Sequence, residues 1–227
     1  MTQLSSQFVR WVSLKRDEIA AFNAYPFDIP AVRNLRKLDM ESPVTFFVGD
    51  NGTGKSTLLE AIAVACGFNP EGGTRSFHFG TRESHSPLYQ YLRITRGTRR
   101  PSTGFFLRAE SFFNLATEIE NLDKEPSFDR KVVEYYGGTS LHEMSHGESF
   151  WTLLTEKFFG GGLYILDEPE AALSPSRQLA TLARMDELVK DGSQFIIATH
   201  SPILMAYPNA RIFLFGDDAI REVRYEE

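Results

Sequence analysis

Pro43-Val44-Thr45-Phe46-Phe47-Val48-Gly49-Asp50-Asn51-Gly52-Thr53-Gly54-Lys55-Ser56-Thr57-Leu58-Leu59-Glu60 is the stretch whose reading decides the fold. Val44 to Val48 is a short continuous apolar run with β-branched and aromatic residues, the pattern of a buried strand. Gly49, Gly52 and Gly54 follow at once. Leu58, Leu59, Ile62, Ala65 and Cys66 then recur at helical spacing up to Gly67. Strand, glycine-rich loop and helix form the context that a phosphate-binding loop needs, and the spacing from Gly49 to Gly54-Lys55-Ser56 fits that loop with no mismatch. A chance Gly-Lys-Ser in a turn would lack the flanking strand and helix.

The residue types have a chemical reason. Glycines let backbone N–H groups close around phosphates with no Cβ in the way. The helix opening near Gly54 adds the positive end of its dipole. Lys55 can reach β- and γ-phosphates, and the Ser56 hydroxyl can take a place on Mg²⁺. Asp50, Asn51, Thr53 and Thr57 complete the candidate nucleotide-binding loop, so ATP and Mg²⁺ are the cofactors it implies.

Working outward, a chain of 227 residues with 19 phenylalanines has the apolar material for a real core and lies at the upper end for one domain. No run of eighteen apolar residues is present, so no transmembrane helix and no direct membrane insertion are expected. The N-terminus lacks a basic-then-apolar signal pattern. The single cysteine, Cys66, sits on the apolar face of the loop's helix and reads as a core residue. These points favour the cytoplasm. A net charge of −6 argues against a surface coated for nucleic acid, though it leaves room for a local basic groove.

Before the loop, Phe8 to Leu14 alternates as a strand that begins an antiparallel sheet, and Asp17 to Phe22 suits a short helix. The loop Tyr25-Pro26-Phe27-Asp28-Ile29-Pro30 holds two aromatics, each able to stack on a base or to pack on the domain. After the loop, Leu88 to Thr95 and Thr103 to Leu107 read as strands joined by an arginine-rich tip, Arg96 to Ser102, which is either a solvated hairpin end or a contact to a nucleic acid backbone. His78 and His85 lack the further ligands of a metal site. Glu110 to Leu122 carries helical spacing. Leu163 to Leu166 and Gln194 to Ala198 are further buried strands. Between them Arg177 to Lys190 is a helix with Leu179, Leu182, Met185, Leu188 and Val189 inward. Arg211 to Phe215 and Ile220 to Tyr225 complete a sheet. Strands alternating with helices predict an α/β core with a largely parallel sheet.

The strand at Leu163 ends in Asp167-Glu168-Pro169-Glu170. Asp167 at the strand end can hold Mg²⁺ through water, opposite Ser56, while Glu168 can accept a proton from an attacking water. His200 follows the next strand, where ligands gather in open α/β sheets, and can bond a γ-phosphate or that water. Glu168 and His200 are therefore the candidate catalytic pair.

The order of Gly49–Thr57, Met144-Ser145-His146-Gly147-Glu148, Leu163–Glu170 and His200 resembles an ABC-type ATPase, nearest the soluble branch of chromosome-maintenance and repair ATPases and the small stand-alone bacterial ones. The resemblance spans nearly the whole chain. It implies a single P-loop NTPase domain over 1–227, with a mostly parallel central sheet, an antiparallel β subdomain and a small helical subdomain inserted at about 109–145. It further implies a signature motif at Ser145 to Glu148 opening a helix up to Phe159. Ser145 and Gly147 would serve the nucleotide held by the other subunit of an ATP-dependent homodimer. Ala171 to Ser174 falls at the family's subunit-contacting loop. His146 and Glu148 depart from the family's Gly and Gln, and Glu110 stands near where the family places a metal-touching glutamine. Thirty-five positions separate Glu110 from Ser145, too few for a long coiled coil.

The reading is an MgATP-binding, ATP-hydrolysing enzyme that acts as a dimer switch on an unidentified protein partner, with nucleic acid permitted but not indicated. The alternatives are the nucleotide-binding subunit of an ABC transporter and a nucleotide-gated interaction module with negligible turnover.

Overall fold

Two sheets organise the computed structural model, which describes residues 7–75, 86–108 and 146–227. The first is antiparallel: β1 (Val9–Leu14) lies between β2 (Leu38–Asp39) and β4 (Leu92–Arg96). The second contains β3 (Val44–Gly49), β5 (Thr103–Arg108), β6 (Gly162–Asp167), β7 (Gln194–Ala198), β8 (Arg211–Phe215) and β9 (Ile220–Val223), in the order β5-β6-β7-β3-β8-β9. All neighbours in it are parallel except the β8–β9 pair. This is the mostly parallel sheet with an antiparallel companion that the alternation predicts.

β3 is buried along its length because both faces of the sheet are covered. Phe47 points into one apolar cluster with Val32 of α1 (Pro30–Arg33) and Leu58, Leu59 and Ile62 of α2 (Lys55–Ala65). Phe46 and Val48 point into a second cluster, with Phe150 and Leu153 of α3 (His146–Glu156) and Met185 and Leu188 of α4 (Pro175–Lys190). Period-two alternation thus survives inside a continuous apolar run. α2 ends as its sequence predicts. Gly67 takes φ +92°, its N–H donates to the Val64 carbonyl at 2.9 Å, and the Phe68 N–H donates to Ala63 at 3.1 Å, which satisfies the last carbonyls. Cys66 is a core residue, and burial pushes its thiol up to about 11.

Gln194, fully buried at the start of β7, joins the two sheets. Its side-chain oxygen accepts from the Phe8 and Val9 N–H groups at 3.0 and 2.9 Å, and its amide nitrogen donates to the Val9 and Met40 carbonyls at 2.8 and 3.0 Å. A buried amide with its hydrogen-bonding capacity used in this way fixes how the antiparallel sheet sits on the core.

Several local expectations are corrected. Leu88 to Tyr91 lies in a 3₁₀ turn, Pro87–Tyr91, and the strand begins only at Leu92. Pro87 opens the turn, and the Ser86 hydroxyl caps it by accepting from the Leu88 N–H. The expected helix over Asp17 to Phe22 is a 3₁₀ turn at Arg16–Glu18. The arginine-rich stretch is no hairpin tip, because β4 and β5 belong to different sheets. Arg96 there donates to the Ala65 carbonyl at 3.1 Å, and Arg99 lies over the Phe8 ring at 5.8 Å. Leu179 is exposed rather than inward. The signature helix begins at His146 and ends at Glu156, short of Phe159. The helical subdomain expected at about 109–145 falls outside the described residues, and with it Glu110 and Ser145; His78 and His85 also lie outside them.

Candidate functional site

β3, β6 and β7 end side by side, and the candidate residues follow at that edge. The Glu168 N–H donates to the Ala198 carbonyl at 2.9 Å, and the Thr199 N–H donates to Phe47 at 3.1 Å, so the three strand ends are tied beyond their ladders. Gly49 has to be glycine: it takes φ +136°, and a Cβ there would lie 2.3 Å from the Phe215 carbonyl oxygen of the neighbouring β8. Gly54 caps α2 at φ +96°, where a Cβ would meet the Ile29 side chain at 2.7 Å. These two positions turn the chain from β3 into α2 while keeping the loop N–H groups clear.

Inside the loop the Thr53 hydroxyl donates to the Asp50 carbonyl at 2.8 Å. The Lys55 ammonium donates to the carbonyls of Gly49 and Asp50, both at 2.8 Å. Burial holds Lys55 below its ordinary ammonium range, and the charges of Glu168, Asp167, Asp50 and Glu170 oppose that shift. Several carboxylates therefore converge on one lysine.

Ser56 and Asp167 are brought together as expected, with the Ser56 hydroxyl donating to Asp167 Oδ1 at 2.9 Å. A hydroxyl and a carboxylate oxygen are hard donors that fit Mg²⁺, which takes its remaining ligands from water and phosphate. Among the described residues no cluster of three or more His, Cys, Asp or Glu could hold a metal by itself.

Glu168 is one of two non-glycine residues described with positive φ, at +50°. That left-handed conformation costs about 1–3 kcal/mol. It turns the side chain away from Asp167 and towards His200, whose Nε2 lies 3.5 Å from Glu168 Oε1. Both side chains are about two-fifths exposed, at 41% and 40%, so water reaches them. The His200 N–H donates to Glu170 Oε1 at 2.5 Å, a support that the sequence reading missed.

An open cavity of about 720 Å³ is lined by Tyr25, Asp28, Ile29, Pro30, Asn51, Gly52, Gly54, Lys55, Ser56, Thr57 and Glu168. Tyr25 is 62% exposed at its rim. Phe27 instead packs edge-on against Phe22 and Tyr91, at 6.4 and 5.0 Å between ring centres. Of the two aromatics, only Tyr25 faces the site. Gly147, in the first turn of α3, packs against the turn after Glu168, where a Cβ would lie 2.8 Å from the Ala172 carbonyl oxygen. Among the described residues, none from α3 lines the cavity.

Two residues beyond the expected set stand behind Asp167. Arg108, at the end of β5, pairs in register with Asp167 and approaches its Oδ2 at 3.8 Å through Nε. Its Nη1 donates to Glu60 Oε2 at 2.6 Å. Glu60 follows Ser56 by one helical turn, a spacing that places both on one face of α2 and was legible in the sequence. No local pattern marks Arg108.

A family model described as an AAA domain matches residues 18–146, and a second AAA-domain model, whose description also carries a type IV toxin–antitoxin label, matches 107–206. The chain is 25% identical over 214 residues to the hemin import ATP-binding protein HmuV of Rhodopseudomonas palustris, covering 87% of this chain and 81% of that protein. It is 28% identical to the pyoverdine export ATP-binding/permease protein PvdT of Pseudomonas fluorescens, covering 76% of this chain and only 28% of that longer protein. Among solved structures, the ATP-binding cassette MJ1267 of an ABC transporter matches with a TM-score of 0.52 at 18% identity, over 97% of this chain and 93% of that one. At that identity the match shows the fold.

Proposed function

We propose, for a chain that belongs to the AAA-domain ATPases of the ABC type and so binds and hydrolyses ATP, that two copies close around MgATP and open on hydrolysis, as a cytoplasmic switch on a protein partner. In each copy Lys55 and the N–H groups from Gly49 to Thr57 take the phosphates. Ser56 directly, and Asp167 through water, would hold Mg²⁺; the metal neutralises phosphate charge when bound. Glu168 accepts the proton of the water that attacks the γ-phosphorus, and His200 holds the γ-phosphate side. Tyr25 stacks on the base. Replacing Tyr25 by Ala should weaken ATP binding by about tenfold, the loss of ~1–3 kcal/mol that base stacking is worth. Tripolyphosphate, which has no base, should bind unchanged. Equal weakening for both in calorimetry would remove Tyr25 from that role.

The observation that carries the dimer is the placement of α3. Its first turn leans on the segment that follows Glu168, and among the described residues none from it lines its own chain's cavity. A helix N-terminus that suits a phosphate is thus left to serve a second nucleotide. ATP held by Lys55 of one copy and by Ser145 and Gly147 of the other binds only the dimer in full, so it shifts the equilibrium by that difference. Light scattering on Glu168→Gln should show monomer without nucleotide and dimer with MgATP. Ser145→Arg should stay monomeric while still binding ATP. A monomeric Glu168→Gln in saturating MgATP would overturn the dimer.

The names of the relatives favour a second reading, in which the chain powers a membrane permease. Among the described residues no helix is long and apolar enough to cross a membrane, so that reading needs spanning segments elsewhere. ATPase rates with and without membrane vesicles, and with and without DNA, separate the partners.

A further inference from the structure

We infer that Arg108 is a positioning residue for Asp167, a fixed cation that supports the metal carboxylate and lets the site hold ATP in part without metal. The inference rests on the reading of Ser56 and Asp167 as the Mg²⁺ side of the site. Asp167 is approached from two directions: the Ser56 hydroxyl lies on Oδ1 at 2.9 Å and the Arg108 guanidinium on Oδ2 at 3.8 Å. The guanidinium is itself held by Glu60 at 2.6 Å, and Glu60 Oε1 accepts from the Ser86 N–H at 3.3 Å. The connections therefore run from α2 through Ser56, Asp167 and Arg108 back to α2 at Glu60. All three charged side chains are largely buried, at 9%, 21% and 11% exposure for Asp167, Arg108 and Glu60.

Charge gives this closed path its function. Asp50, Asp167, Glu168 and Glu170 all act on Lys55, and a triphosphate brings several more negative charges to the same place. Without a divalent ion, Asp167 repels the phosphates unless a cation lies close to it. Arg108 is in that position. An arginine stays charged under burial that would strip a lysine of its proton, and its planar fork can serve Glu60 and Asp167 at once. The same charge opposes a metal beside Asp167, so Arg108 both supports metal-free ATP and moderates the grip on Mg²⁺.

Both effects move one ratio in the same direction. The ratio of the Kd for ATP in EDTA to the Kd in excess Mg²⁺ should rise about tenfold in Arg108→Gln, the scale of removing one nearby charge from a partly buried site. Because Arg108→Gln leaves Glu60 buried without its guanidinium, the double variant Glu60→Gln/Arg108→Gln is measured beside it and should show a rise in the same direction, smaller because the negative charge of Glu60 goes as well. A residue that only shapes the fold would weaken both affinities equally. An unchanged ratio in both variants, each of them folded, therefore overturns the inference. If instead Asp167→Asn leaves the Mg²⁺ dependence of ATP binding as it is in wild type, the metal reading of Asp167 fails and takes this inference with it. An unchanged ratio alone removes only Arg108.

Discussion

Glu168→Gln is expected to bind ATP within about twofold of wild type and to hydrolyse it at least ~10²-fold more slowly, the scale of losing a general base. The amide keeps the size of the carboxylate and can occupy the same left-handed turn before Pro169, but it cannot take a proton from water. Glu168 has the access such a base needs, since it lies on the open cavity, partly exposed and beside His200. Asp167 does not share that access: it is buried against Ser56 and Arg108. Steady-state phosphate release together with ATP affinity by calorimetry decides the matter. Turnover within about threefold of wild type would assign the base elsewhere, far short of the loss expected for removing it.

Lys55→Ala should reduce ATP affinity by ~10²-fold or more, in line with losing charge-assisted bonds worth about 1.5–3 kcal/mol each. Lys55 contributes twice. Its ammonium is the cation inside the loop, and it also draws the Gly49 and Asp50 carbonyls to one point, which keeps the loop N–H groups turned the other way. Alanine removes both contributions and leaves the convergent carboxylates facing the phosphates. The fold itself should persist, because the freed carbonyls lie beside an open cavity and can bond water. A melting temperature close to wild type with wild-type MgATP affinity would sink the phosphate-binding assignment.

Where a residue's place depended on neighbours along the chain, the sequence was enough. Glycine spacing, the apolar run before it and the helical spacing after it specify a strand, a tight turn and a helix, and nothing distant is needed to complete them. The same holds for the places of Asp167 and Glu168, on and just beyond a strand end, and of His200 beyond the next strand. A parallel sheet then gathers those ends at one edge, so residues far apart in the chain meet without further instruction.

Tertiary structure alone decided what depends on non-local pairing. That β4 and β5 part into different sheets follows from which strands they find, β1 and β6, and their alternation cannot say so. Tyr25 and Phe27 are two positions apart in one loop. Only the packing of Phe27 on Phe22 and Tyr91 leaves Tyr25 facing the cavity. Gln194 reads as a polar residue at a strand start until the backbones of β1 and Met40 come within reach of its amide. Arg108 and Asp167 are adjacent because the β5–β6 register puts them side by side, and a one-residue slip would send every side chain of β5 to the opposite face. Register is a property of two strands together, so the guanidinium beside the Asp167 carboxylate could not be read from either one.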